Sequence, residues 1–426
     1  MLISLFVHCR NLSRKLLDTT IIFRNINYKA SCQLELYRCG KHKIIIRGKL
    51  IEVLINQSST DLYDTGNYLC LSNLTFVNCA VYIHGTNMQF KSCKFEQTAM
   101  KGNGDLKSIV FEASAWENVN NPALSTNQLI EFSAFSEVLY QLCWFKGLSN
   151  FRLTALILMI KCNKVIFKSC LVTNIKGTFI SISKSFHVVI LTIKLRNAEI
   201  SKNIYRSEDS LIKVKNSYIV LVLKSHFNDA KVSLFHIVSP ILISFQESIF
   251  YRCTTLEDKA IAIVTFFPES TPTKFLCQNS VFANCESALC MALGVNKNIN
   301  KKEAKNKSYY NDMQMITKSE DLLEINIMSS IFKNCFSNLN GAALHVSLAS
   351  ASKLNEIKKY INVNLRNSVF KINQASFGGA VYVNEINNLH IENCSFSFNV
   401  VNKSGGAIYA NDVQLIYNIN NTYYSN

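Results

Sequence analysis

Proline and glycine are scarce in this chain of 426 residues, at 4 and 14. Long apolar runs are absent too: "YIVLVLK" (218–224) and "ALILMIK" (155–161) are strand-length. Neither approaches the ~18–20 residues of a membrane-spanning helix, so no membrane span is expected. The opening "MLISLFVHCR" has no basic n-region and no small-residue cleavage site, which makes it a poor signal peptide. The chain is therefore expected to be either intracellular or a piece of something longer. There are 15 cysteines, an odd number, yet none shows C-x-x-C spacing or a zinc-like Cys/His arrangement. The 8 histidines form no H-x-H or H-E-x-x-H. No metal and no cofactor is expected.

Clustered acids are missing as well. Asp61 with Asp64, Glu208 with Asp209 and Glu320 with Asp321 are local pairs that suit solvated turns. No Ser/His/Asp or Cys/His set stands out, so no catalytic residue is nominated. The net charge of +16 invites a nucleic-acid reading. The basic residues are spread along the whole chain, however, with no stripe interleaved with aromatics, no zinc finger and no RNP motif. No nucleic-acid partner is expected.

What the chain does have is apolar residues, 48% of the total, with β-branched and aromatic types in short alternating runs. Such runs suit strands with one buried face. It also repeats itself. "NSVFKINQASFGGAVYV" (367–383) returns as "NCSFSFNVVNKSGGAIYA" (393–410). With Phe396 as anchor, Leu389, Ile391, Asn393 and Cys394 lie upstream and Asn399 lies three residues downstream. The same frame fits Phe370 with Asn373, Phe332 with Cys335, Phe282 with Cys285 and Phe250 with Cys253. In the last of these, Glu247 stands where other units have Asn or Ser. Phe227, Ile200, Val172, Phe145, Trp116, Phe95 and Phe76 extend the series with growing degeneracy, and Tyr423 with Asn420 and Asn426 opens another unit.

Spacings of mostly 20–30 residues are those of solenoid coils. Heptads are absent, as is the dense leucine framework of leucine-rich repeats. One coil cannot bury its own inward face, whereas coils stacked ~4.8 Å apart pair every strand with its neighbours. The expected fold is all-β, a right-handed parallel β-helix of about thirteen coils. Residues 1–60 form a degenerate segment or cap under this reading, and 61–426 the repeat domain. A Lys/Asn-rich tract at 294–320 reads as an inserted loop.

Gly378-Gly379 and Gly405-Gly406 each precede a strand-like run, which fits a tight corner with φ > 0 or a close approach between coils. A phosphate-cradling loop would need a helix after the glycines. Cys253, Cys285 and Cys335 occupy the slot that Asn373, Asn399 and Asn426 fill later; Cys79 fills it earlier, and Cys143, Cys170 and Cys394 lie two before their anchors. Stacking would place equivalent Cα atoms near enough for a disulfide. Free, stacked, buried thiols are the other outcome, since the slot calls for a small inward residue.

The pairing of Phe-x-x-Asn (Phe370/Asn373, Phe396/Asn399) with Gly-Gly-Ala-Val/Ile (378–381, 405–408) resembles the repeat of the chlamydial polymorphic outer-membrane proteins. Similar repeats occur in large surface proteins of protists such as trichomonads. The full double motif covers only the last 60 or so residues. The resemblance implies an adhesin-like, non-catalytic β-helix at the cell surface or outside the cell, membrane-associated through parts beyond this chain. It would be monomeric and would meet a host-cell or extracellular protein or glycan. The chain stops inside a unit, which implies a truncated member. If the chain is exported, sequons at Asn11, Asn56, Asn73, Asn306, Asn393, Asn402 and Asn420 would allow glycosylation. The runner-up is a carbohydrate-active β-helix enzyme of the pectate-lyase kind with degenerate signatures. The motifs of polygalacturonase-type enzymes are not present.

Overall fold

The computed structural model describes residues 5–7, 18–22, 34–36, 43–56, 69–72, 74–84, 87–96, 98–104, 106–117, 129–149, 155–199, 210–254, 264–267, 273–286, 288–293, 323–338, 340–348 and 361–426. The tract at 294–320, expected to be an inserted loop, lies outside them. The described residues contain strands and no helix, and every strand pairing is parallel. The chain is a parallel β-helix solenoid. It forms two compact units, residues 1–204 and 205–426. Strands are paired in parallel within the expected cap, as Asp18–Ile22 lies against Lys43–Asn56.

A coil consists of three strands. In the first unit these are Ile157–Ile160, Lys164–Lys168 and Leu171–Lys176. The next coil repeats them as Ile180–Ser183, His187–Leu191 and Lys194–Glu199, each in register with its predecessor. The second unit does the same, Ile212–Lys215, Ile219–Leu223 and His226–Lys231 pairing with Phe235–Val238, Leu242–Gln246 and Ile249–Tyr251. We call these the first, second and third faces. Parallel pairing of equivalent strands puts equivalent side chains directly above one another, so any residue type repeated at one slot becomes a ladder.

The corners explain the composition. Corners recur at residues with φ near +55°, and in many of them the next residue turns inward and is buried. In one coil these steps are Lys161 then Cys162, Ser169 then Cys170, and Asn174 then Ile175. The left-handed region costs most L-residues about 1–2 kcal/mol and costs Asn least, because its short side chain satisfies the local backbone. Asn supplies more of these corners than any other residue type. A chain turning its corners on Asn needs few glycines and no prolines at those points.

Alternation fills the core. Val165 and Phe167, Val188 and Ile190 point inward and are fully buried, while Lys164, Ile166 and Val189 point out. In the first unit two aromatic stacks run side by side. One is Phe76, Phe95, Trp116 and Phe145, with neighbouring centroids 4.8–5.2 Å apart. The other is Phe90, Phe111, Tyr140 and Phe167, at 4.7–5.0 Å. Rings of the two stacks meet edge to face, as Phe111 does with Trp116. Such pairs add about 0.5–1.5 kcal/mol each beyond the area they bury.

One expected anchor is corrected. Val172 is in register with Leu195, not Ile200, and Ile200 lies outside the described residues. Leu195 has Val188 and Ile190 upstream at the usual offsets, but its downstream slot holds Ala198 rather than Asn or Cys. The aliphatic anchor and the missing polar residue together hid the frame.

The core also carries two polar atoms with no hydrogen-bond partner among the described residues, Trp116 Nε1 and Tyr140 Oη. A buried hydroxyl left unpaired costs about 1–3 kcal/mol. Tyr140→Phe removes that hydroxyl and keeps the ring in its stack, so it is expected to stabilise the first unit by about 1 kcal/mol. Urea unfolding followed by circular dichroism measures this; a loss of stability would show that the hydroxyl has a partner.

Candidate functional site

The repeat motif is the feature singled out by the sequence, and its anchors form one column in the second unit. Phe227, Phe250, Phe282, Phe332, Phe370, Phe396 and Tyr423 are paired in register. Adjacent rings lie 4.4–5.2 Å apart, with interplanar angles of 3–10°. The six phenylalanines are fully buried.

On either side of each anchor is a left-handed corner followed by an inward polar or small residue. Upstream, Lys224, Glu247, Asn279, Ser329, Asn367 and Asn393 take the positive φ. Glu247 thus fills a conformational slot that Asn fills elsewhere, with φ +50°. The inward residues after five of these corners are Ser225, Ser248, Ser280, Ser330 and Ser368, all buried. They make a hydroxyl ladder that the sequence frame contained but whose role it did not reveal. Ser248 Oγ accepts the Ser225 N–H at 3.3 Å, Ser280 Oγ that of Ser248 at 3.2 Å, and Ser330 Oγ that of Ser280 at 3.3 Å. Ser368 Oγ then accepts the Ser330 N–H at 3.2 Å. Each accepting hydroxyl donates to the carbonyl two residues before it, as Ser248 does to Gln246 at 3.0 Å. The ladder satisfies backbone groups that the corners turn out of the sheets.

Downstream, Cys253, Cys285, Cys335, Asn373, Asn399 and Asn426 occupy one slot. Asn399 Nδ2 donates to the Phe370 carbonyl at 3.0 Å and to Asn426 Oδ1 at 2.8 Å. Its Oδ1 accepts the Asn373 N–H at 3.1 Å and Asn373 Nδ2 at 2.9 Å. Asn373 repeats this, donating to the Phe332 carbonyl and accepting the Cys335 N–H, at 3.1 and 3.0 Å. The cysteines perform part of the same work. Cys253 Sγ lies 3.4 Å from the Phe227 carbonyl, Cys285 Sγ 3.4 Å from that of Phe250, and Cys335 Sγ 3.6 Å from that of Phe282. A thiol can donate to that carbonyl weakly but is a poor acceptor, which is why the amide and the thiol can share a slot and are not equivalent there.

Cys253, Cys285 and Cys335 are free and buried. Burial, with Cys285 beside it, pushes the Cys335 thiol well up; the hydrogen bond with Cys285 and then burial do so for Cys253. Burial also takes Cys277 to about 12 and Cys162 to about 11. The hydrogen bonds with Cys253 and then Cys335 act the other way on Cys285 and lower it. The thiols held protonated and away from solvent, Cys253, Cys335, Cys277 and Cys162, are poor nucleophiles and poor metal ligands. Among the described residues no group of three or more His, Cys, Asp or Glu could hold a metal ion.

The paired glycines divide the two tasks proposed for them. Gly378 has φ +58°, where a side chain would run into the Val381 carbonyl. Gly406 has an ordinary φ, but a Cβ there would sit 2.7 Å from the Asn426 carbonyl carbon. A strand follows, Val381–Glu392 after the first pair and Ile408–Ile419 after the second.

No protein-family model, curated protein or solved structure matches this chain.

Outside, in-register rows cover the faces. In the second unit the third face carries Ile249, Val281, Ile331 and Val369 in one row, with Tyr251, Ala283, Lys333 and Lys371 beside it. The first face ends in His345, Tyr382 and Tyr409, the two tyrosine rings stacked at 5.3 Å and 1°. Burial lowers His345 to about 4, and its Nε2 lies 3.0 Å from Ser347 Oγ. In the first unit the third face carries Lys94, Ala115, Trp144, Leu171 and Lys194 in register. Lys94 Nζ is 2.7 Å from Glu96 and 3.0 Å from Glu117, and those two bonds raise its pKa. Trp144 is 58% exposed, the more open of the two tryptophans, and no part of the repeat frame marks it.

Proposed function

We propose that the chain is a non-catalytic, adhesin-like β-helix scaffold of the cell surface, whose outward rows bind a protein or glycan partner. One observation supports this reading most. The motif residues are committed to holding one coil on the next: the anchors stack, Asn373 and Asn399 bond both neighbouring coils, and the serines bridge backbone groups. What remains to meet other molecules is the outer surface. Phe-x-x-Asn and Gly-Gly-Ala are then building blocks, and the likeness to polymorphic outer-membrane proteins is a likeness of construction.

Fluorescently labelled full chain, incubated with cultured epithelial cells, tests the reading. Saturable binding, displaced by unlabelled chain, is expected. Depolymerisation of polygalacturonate or another glycan by the purified chain would overturn the non-catalytic assignment. Absence of any saturable binding would overturn the scaffold.

A further inference from the structure

Rings on this solenoid turn their faces along the stack of coils. In-register rings lie nearly parallel in the core, as Phe282 and Phe332 do at 4°, and in one surface pair, Tyr382 and Tyr409, at 1°, whereas His345 and Tyr382 are tilted by 58°. Where rings repeat in register, they cover each other and offer a ligand only their edges. Trp144 sits in a row of a different kind. Its in-register neighbours on the third face of the first unit are Ala115 and Leu171. Neither can cover an indole, and Ala115 presents only a methyl group. No in-register ring covers the indole, and Trp144 is 58% exposed.

Beside Ala115 is a fixed set of hydrogen-bonding groups. Lys94 is in register with Ala115, and Glu96 with Glu117, which stands two residues beyond Ala115 on the same strand. Lys94 Nζ bridges the two carboxylates, at 2.7 Å to Glu96 and 3.0 Å to Glu117. An ammonium has three donors, so one is left over. A carboxylate has about four acceptor positions, so each Glu keeps several. All three side chains are partly exposed. An exposed apolar ring beside mixed donors and acceptors suits one class of ligand well. The pyranose ring of a sugar has an apolar C–H face and a rim of hydroxyls that both donate and accept. Lys146 is in register with Glu117, so two ammonium groups stand against two carboxylates, and a balanced cluster gives uronic and sialic acids no net attraction.

We propose that Trp144, Ala115, Lys94, Glu96 and Glu117 form a subsite for a neutral pyranose of an oligosaccharide. The sugar ring lies on the indole in the space above Ala115, and its hydroxyls reach the Lys94–Glu117 bridge. This rests on the scaffold reading above and names a glycan as the partner for this part of the surface.

Binding to the full chain is measured by saturation-transfer NMR and calorimetry. The probes are cellotetraose, triacetylchitotriose and β-1,4-galactotetraose, with trigalacturonate as the anionic control. At least one neutral probe is expected to bind with a dissociation constant of order 1 mM, as for a single small subsite. Trp144→Ala and, separately, Ala115→Leu, which fills the space over the ring, should each weaken it at least about tenfold. Both sites point outward, so circular dichroism and the unfolding midpoint should stay unchanged. Ala115→Leu keeps the test valid should Trp144→Ala disturb the fold. No binding of any neutral probe at ~10 mM, binding that survives both substitutions, or a preference for trigalacturonate would overturn the proposal. Probe binding that survives in both variants, with cell binding by the chain still saturable, would remove the subsite and leave the scaffold reading intact. Absence of saturable cell binding by the unsubstituted chain would remove the scaffold reading instead.

Discussion

Phe282→Ala is expected to lower the unfolding free energy of the 205–426 unit by about 3–5 kcal/mol. Phe282 is fully buried in the middle of a seven-ring column, 4.4 Å from the ring of Phe250 and 4.9 Å from that of Phe332. Truncation removes its own apolar burial and leaves a cavity. It also strips one stacking partner from each neighbour. The backbone on both sides is held by in-register pairing, at Phe250 and at Phe332, so the cavity cannot easily collapse. Phe282→Leu, which keeps most of the volume, should cost about half as much. Urea unfolding measured by far-ultraviolet circular dichroism reads both; a loss below about 1 kcal/mol would mean that the column is not a packed core.

Asn373→Ala should cost nearly as much, about 2–4 kcal/mol, by a different mechanism. Asn373 is fully buried. Removing its amide leaves the Cys335 N–H and the Phe332 carbonyl without the partners they have at 3.0 and 3.1 Å. Asn399 Oδ1 loses one donor too. Asn373→Cys recreates what three preceding coils contain, a thiol that donates to the carbonyl but accepts nothing strongly. It should therefore recover part of the loss, about 1 kcal/mol. Equal destabilisation by Ala and Cys would show that the cysteines of this slot act only as small apolar residues.

Much of the fold was legible in the sequence because in-register stacking makes the same demand on every coil. The demand is clearest where it is met by a distinctive residue. Phe370 and Phe396, with Asn373 and Asn399, show the frame openly. It blurs where the same demand has several solutions. Leu195 fills an anchor slot with no polar residue downstream, and Ile200, five positions on, is as aliphatic as the true anchor. Glu247, Lys224 and Thr192 hold left-handed corners that Asn holds elsewhere. The serine ladder was visible only as a small residue two before each anchor. Its hydrogen bonds depend on the distance between coils, which no single coil encodes. The candidate surface was less legible still. Trp144 lies outside the motif, and what makes it distinctive is that Ala115 is its neighbour, 29 positions away in sequence and adjacent only after coiling.

The central claim is that equivalent positions of successive coils lie side by side in parallel register. Lys333 and Lys371 test it directly, since both are exposed and are Cα partners. With both replaced by cysteine, in a background whose buried cysteines stay unmodified, nitroxide labels at the two sites should show strong dipolar broadening in frozen solution. Coil spacing of about 4.8 Å puts the labels well within that range. A doubly labelled spectrum equal to the sum of the two single-label spectra would contradict the parallel, in-register stack.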